Sequence, residues 1–217
     1  MYSVEDKKIK LEHGSINEGI IAVASGKGGV GKSTVTVNLA TALSKIGYKV
    51  GIIDADVRGF SVPRILGVKD KPKAISEKEI MPPEVEGIKV ISMGSFVSEN
   101  SPVIWRAPLL GGALEQFFKD VHWGELDYML LDLPPGTGDM PLNIMQKVPH
   151  ADILVVTTPQ VTATKVAGRI GKMAEKMELN LLGVIENMSY YQCSECGNRD
   201  YIFGEDGGKN LADFMGT

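Results

Sequence analysis

Cysteine is scarce in this chain: it has two in 217 residues, Cys193 and Cys196, three positions apart. That excludes a framework of structural disulfides, and a close thiol pair of this kind suggests a metal or redox site. Histidine is nearly as rare, and His13, His122 and His150 are scattered without ligand spacing. Long apolar runs are missing, since none approaches the ~20 residues of a membrane helix. The opening Met1-Tyr2-Ser3-Val4-Glu5-Asp6 is too polar for a signal peptide. A cytoplasmic address without membrane association is therefore expected. A basic excess is absent too: the formal net charge of −4 gives no overall electrostatic case for a nucleic-acid partner. There is no internal repeat and no low-complexity segment. What remains is 43% hydrophobic and 23% charged residues, a globular composition long enough for one α/β domain.

The densest signal is Gly26-Lys27-Gly28-Gly29-Val30-Gly31-Lys32-Ser33-Thr34, which fits the P-loop pattern of Gly, four residues, then Gly-Lys-Ser. Ile20–Ala24 reads as a buried strand feeding it. Val35, Leu39, Leu43 and Ile46 recur behind it at helical spacing, with Gly47 where the helix stops. Strand, glycine loop and helix N-terminus make an anion site, because backbone N–H groups converge on phosphate oxygens and the helix dipole favours negative charge. ATP is the expected ligand, with Lys32 at the β- and γ-phosphates and the Ser33 hydroxyl on Mg²⁺. Lys27 is a second lysine on the loop's N-terminal side. It is either an exposed lysine or a group that reaches the phosphates of a facing subunit, as an arginine finger does.

Apolar runs at Val50–Ile53, Ile88–Met93, Tyr128–Leu131, Ile153–Val156 and Leu181–Ile185 alternate with helical patterns. The fold class expected is α/β, a mostly parallel sheet flanked by helices. Residues 1–18 read as an N-terminal arm and 19–217 as a single P-loop ATPase domain. Asp54 and Asp56 follow the run at Val50–Ile53, and Asp132 follows that at Tyr128–Leu131 in the manner of a Walker B strand. Carboxylates there lie in the crevice where α/β sheets bind ligands. Asp54 and Asp132 suit Mg²⁺ held through water, and Asp56 suits orientation of the attacking water. Ser61 is expected to cap a short helix around residues 63–66. Residues 69–86, rich in Lys, Glu and Pro, read as a surface excursion without chemistry. Leu133–Asp139, stiff at its prolines and permissive at its glycines, reads as a switch loop whose N–H groups sense a γ-phosphate. Asn187, at the end of the last run, carries a carboxamide suited to the adenine edge.

Cys193-Ser194-Glu195-Cys196-Gly197 supplies two thiolates and a glycine for the tight turn of a metal knuckle, in a loop near residues 190–201. A closed site needs four ligands. A second copy of the chain completes Cys₄ across a two-fold axis, around Zn²⁺ or an iron–sulfur cluster. A redox pair and inert thiols are the other readings of the same spacing.

The P-loop resembles the deviant Walker A motif of MinD/ParA-like ATPases, which implies that Lys27 acts across a nucleotide-sandwich dimer. More of the chain resembles the Mrp/ApbC-type iron–sulfur carrier ATPases. The matching stretches are Gly26–Thr34, Asp54–Val57, Trp105–Pro108, Trp123–Asp139, Thr158–Gln160, Glu186–Ser189 and Cys193–Gly197. The resemblance implies an ATP-hydrolysing homodimer, slow in turnover, that holds a bridging [4Fe–4S] cluster through Cys193 and Cys196 and passes it to apo iron–sulfur proteins. A ParA/MinD-like regulatory switch would need a basic face or terminal amphipathic helix, and neither is visible. A zinc-bridged ATP-binding scaffold dimer differs only in the metal. Two departures stand out. Gly59-Phe60-Ser61 replaces the family's usual Gly-Pro-Ser, which implies a looser switch loop. Family members also continue past the last helix, so Thr217 is expected to end a portion of a longer protein.

Overall fold

The computed structural model describes residues 11–57, 59–76, 78–96 and 107–217, with side chains from residue 111 in the last stretch. Met1–Lys10 of the expected arm, Arg58, the loop beyond Phe96, the Trp105-Arg106 match and the side chains of Ala107–Leu110 lie outside the described residues or side chains.

In chain order the elements are β1 (Gly14–Ser25), α1 (Lys32–Lys45), β2 (Val50–Asp54), α2 (Ser61–Leu66), β3 (Lys73–Ala74), β4 (Ile80–Met81), β5 (Glu84–Val85) and β6 (Ile88–Ser92). A 3₁₀ turn at Met93–Phe96 follows, then α3 (Ala107–Lys119), β7 (Gly124–Asp132), α4 (Asp139–Lys147), β8 (Asp152–Thr157), α5 (Val161–Lys176), β9 (Leu181–Glu186), β10 (Tyr191–Gln192), β11 (Arg199–Asp200) and α6 (Gly207–Met215). Seven strands form one sheet in the order β5-β6-β2-β7-β1-β8-β9. Every pairing in it is parallel except β5 with β6.

The apolar runs are near-continuous because the sheet is covered on both faces. Neighbouring residues serve opposite sides. Ile52, Val90 and Leu130 pack with Val37 and Ala40 of α1 and Val62 of α2. Ile53, Ile91 and Leu131 pack on the other face with Phe117 of α3, Ile144 of α4 and Ile170 of α5. The register then aligns the strand ends: Asp54 lies opposite both Asp132 and Ser92, and Val23 lies opposite Asp132. Trp123 is fully buried, and its indole N–H donates to Phe117 O at 2.8 Å, so the bulky ring leaves no orphan donor.

Two local expectations differ from what folds. β1 begins at Gly14, so the last five residues of the expected arm are strand; Ser15, Asn17 and Glu18 hid it because that part of β1 is largely exposed. Ser61 is the first residue of α2 and no cap, and its hydroxyl donates to Gly59 O at 2.9 Å. Phe60 stands where the family's usual proline is expected. Its ring lies against Gly94, where an added Cβ would sit 2.3 Å from it, and it packs on the core.

Candidate functional site

β1 is an interior strand of the sheet, paired with β7 and β8, and the phosphate loop leaves its C-terminal end. Gly29 and Gly31 take positive φ of 81° and 87°, and Gly31 in this left-handed conformation caps α1. Gly26 is required for a different reason. An added Cβ would lie 2.5 Å from Ala167 N, against the backbone of α5. Gly26→Ala should therefore lower stability by about 2 kcal/mol, the usual cost of overpacking, or about 4–8 °C in Tm for a chain of this size. A thermal melt with no loss would mean that α5 yields.

Lys32, Ser33 and Asp132 come together. Lys32 is 5% exposed and Asp132 fully buried, and Lys32 Nζ lies 2.7 Å from Asp132 Oδ2. The Ser33 hydroxyl donates to the same oxygen at 2.7 Å, and Thr36 donates to Asp132 Oδ1 at 2.7 Å. Thr36 was not singled out from the sequence, although it follows Lys32 by one helical turn on the same face.

Asp54 lies beside them, fully buried. Its oxygens accept from Asp56 N at 3.2 Å, Ser92 Oγ at 3.2 Å and Val62 N at 3.4 Å. Burial, and then the charge of Asp132, push its carboxyl up from 3.8 to about 7. The sign follows. A raised acid favours the folded state below 3.8, and that contribution is lost as pH rises through about 7. The shift is worth at most ~4 kcal/mol. In metal-free protein, Tm should fall between pH 5 and 8, and should fall less in Asp54→Asn; equal slopes would refute the assignment. Asp56 is buried two residues on. Ser33 hydroxyl with Asp54 and Asp132 carboxylates is an all-oxygen set that fits a hard cation such as Mg²⁺.

The switch loop is tied to the same strand. Gly136 N donates to Ser25 O at 2.8 Å and Leu133 N to Val23 O at 3.1 Å. Lys27 is held elsewhere: its Nζ donates to Gln160 Oε1 at 2.7 Å, at the start of α5. Asn187 reaches the loop, donating to Val30 O at 2.9 Å and accepting from Met188 N at 3.0 Å. It braces the P-loop.

Cys193 and Cys196 lie on the hairpin of β10 and β11, a small sheet of its own. Cys193 N donates to Asn198 O at 2.8 Å and Gly197 N to Cys193 O at 2.9 Å, with Gly197 at φ 74°. Backbone N–H groups of Cys196 and Glu195 bond the Cys193 sulfur and hold its pKa below the usual thiol range. Tyr190, Tyr191, Tyr201, Ile202 and Phe203 flank the motif and are exposed.

A phosphate loop on an interior strand of a mostly parallel sheet, with buried acids at nearby strand ends, defines a P-loop NTPase of the MinD/ParA type. MinD from Pyrococcus horikoshii, complexed with Mg-ADP, shares that fold at a TM-score of 0.61 and 23% identity, covering 90% of this chain and 78% of that one. More specifically, the chain belongs to the family described as ParA: NUBPL iron-transfer P-loop NTPase, whose model matches residues 17–217.

An iron-sulfur cluster carrier protein of Bacillus subtilis is 54% identical over 193 residues, 89% of this chain and 54% of that protein. One from Pyrococcus horikoshii is 50% identical over 213 residues, covering 90% and 72%. This chain thus spans about half the length of the Bacillus relative. The nucleotide-binding protein of Archaeoglobus fulgidus, in complex with ADP and with cobalt found by PIXE, superposes at a TM-score of 0.80 with 43% identity, covering 96% of this chain and 81% of that one. No helix among the described residues is long and apolar enough to cross a membrane.

Proposed function

We propose that this chain is an ATP-hydrolysing carrier that takes up a [4Fe–4S] cluster between two copies, through Cys193 and Cys196 of each, and delivers it to apo iron–sulfur proteins in the cytoplasm. The observation that carries the reading is the Cys193–Gly197 turn. Its first thiol is biased towards the thiolate by two backbone N–H groups, as a metal ligand must be, and the exposed aromatic and apolar side chains around it suit burial against a second subunit. Two thiolates per chain leave a four-iron cargo needing two chains. The family and the names of its carrier members support the same cargo.

In this reading Gly26 to Thr34 wrap the phosphates and Lys32 neutralises them, while Ser33, with Asp54 and Asp132 through water, would hold Mg²⁺, which would supply compensating charge at the phosphoryl group. Lys32 then leaves Asp132 for the nucleotide. Asp56 orients the attacking water, and Lys27 crosses to the partner's phosphates. Turnover is slow, because nucleotide state serves as a switch.

The test is anaerobic reconstitution with iron and sulfide, comparing the native chain with Cys193→Ser/Cys196→Ser. About four irons per dimer with charge-transfer absorption, abolished in the variant, are expected. One tight zinc per dimer and no stable cluster would replace the carrier with a zinc-bridged scaffold.

A further inference from the structure

His13, Glu79 and His122 come together although nothing in their spacing announced it. We propose that they form a binding site for a divalent transition-metal ion of zinc's kind, separate from both the nucleotide and the cysteines. The two imidazoles stack with centroids 4.1 Å apart and planes 10° from parallel. Each presents Nε2 to a different oxygen of the one carboxylate: His13 to Glu79 Oε1 and His122 to Glu79 Oε2, both at 3.7 Å. The three donor atoms lie within 4.8 Å of one another. His122 Nε2 is buried and has no hydrogen-bond partner, a cost that a bound ion would remove.

The backbone holds the three donors in place before any ligand arrives. Gly124 N donates to His13 O at 2.9 Å, Ile75 N to Glu79 O at 2.8 Å, and His122 N to Ile80 O at 2.9 Å. Ile80 N in turn donates to Asp120 O at 2.8 Å, so the segment carrying Glu79 is pinned on both sides of its carboxylate. Gly14 and Gly124 pair in register, and a Cβ on Gly14 would lie 2.1 Å from Gly124 O, so this approach of the two chain segments depends on glycine.

Two imidazoles and one carboxylate suit zinc and its neighbours in the first transition row better than Mg²⁺. Ligands about 2.0–2.1 Å from a tetrahedral ion stand ~3.3 Å apart, so binding draws the carboxylate in by a few tenths of an ångström and splays the stacked rings. All three side chains are partly exposed, although the His122 Nε2 donor itself is covered. The ion would tie the excursion carrying Glu79 to the starts of β1 and β7. That is the end of the sheet opposite the phosphates, about 27 Å away along the nine residues of β7. Its role is a clamp and not catalysis.

The test is Zn²⁺ titration calorimetry on the full, tag-free chain carrying Cys193→Ser/Cys196→Ser, with excess Mg²⁺ to occupy oxygen ligands. One ion per chain is expected, with affinity at least tenfold weaker in His13→Ala, Glu79→Gln and His122→Ala. Co²⁺ should give visible ligand-field bands without thiolate charge transfer. Should His122→Ala fail to fold, the other two variants carry the test. Absence of binding in the cysteine-free chain, or binding unchanged by His13→Ala and Glu79→Gln, would overturn the proposal and leave a histidine pair bridging a glutamate. The cluster reconstitution described above does not depend on either result.

Discussion

Lys32→Ala should abolish ATP binding, with affinity falling by about 100-fold or more, and should also cost the fold. The first effect follows from losing the one buried cation of the phosphate loop, whose charge-assisted hydrogen bonds are worth about 1.5–3 kcal/mol each. The second follows from what the cation faces. Asp132 is fully buried at 2.7 Å from Lys32 Nζ and lies opposite Asp54 across the β2–β7 register. Removing the lysine leaves two buried carboxylates without it, and breaking a buried pair costs about 3–5 kcal/mol, on the order of 10 °C in Tm. Adding Asp132→Asn separates the effects, since the double variant should regain much of the Tm and none of the affinity. Calorimetry of ATP binding beside a thermal melt reads both. Retained binding in Lys32→Ala would remove the lysine from the nucleotide site.

Lys27→Ala should give the opposite pattern, with ATP binding within about threefold of native and hydrolysis reduced about 10³-fold, the scale set by charges supplied in trans to a phosphoryl group. Lys27 Nζ donates to Gln160 Oε1 and contributes nothing to the cluster around Asp132, so nucleotide affinity within one chain should not depend on it. Mixing subunits decides the matter. Lys27→Ala and Lys32→Ala are each expected to be inactive alone. In a mixed dimer, one composite site has Lys32 from the first and Lys27 from the second. Statistical mixing should then restore roughly a quarter of native activity. No recovery, or equal loss of binding and hydrolysis in Lys27→Ala, would count against a role across the dimer.

The parts of the site legible in the sequence are those written in consecutive residues. The phosphate loop needs glycines at fixed offsets, and the acids needed only an apolar run to mark them as strand ends. Pairings across the chain left no such mark. Thr36 meets Asp132 across 96 positions and Lys27 meets Gln160 across 133. His13, Glu79 and His122 are joined only once the excursion folds back on the sheet. Helical spacing from Lys32 was a signal for Thr36 that went unused, and Gln160 lay in a stretch marked only by resemblance; nothing local pointed to Ser92. The start of β1 was illegible for the opposite reason, because its exposed first half has no apolar alternation to read.

The sheet order has a consequence for how the central strands and the cysteine hairpin breathe. β1 is paired to β7 on one side and β8 on the other, whereas the cysteines sit on a hairpin with two paired positions and no edge in the main sheet. Amide hydrogens of Ala22 to Ala24 should therefore exchange only through global opening, and those around Cys193 through local fraying at far lower cost. The hairpin can open and close many times within the lifetime of one intact nucleotide fold.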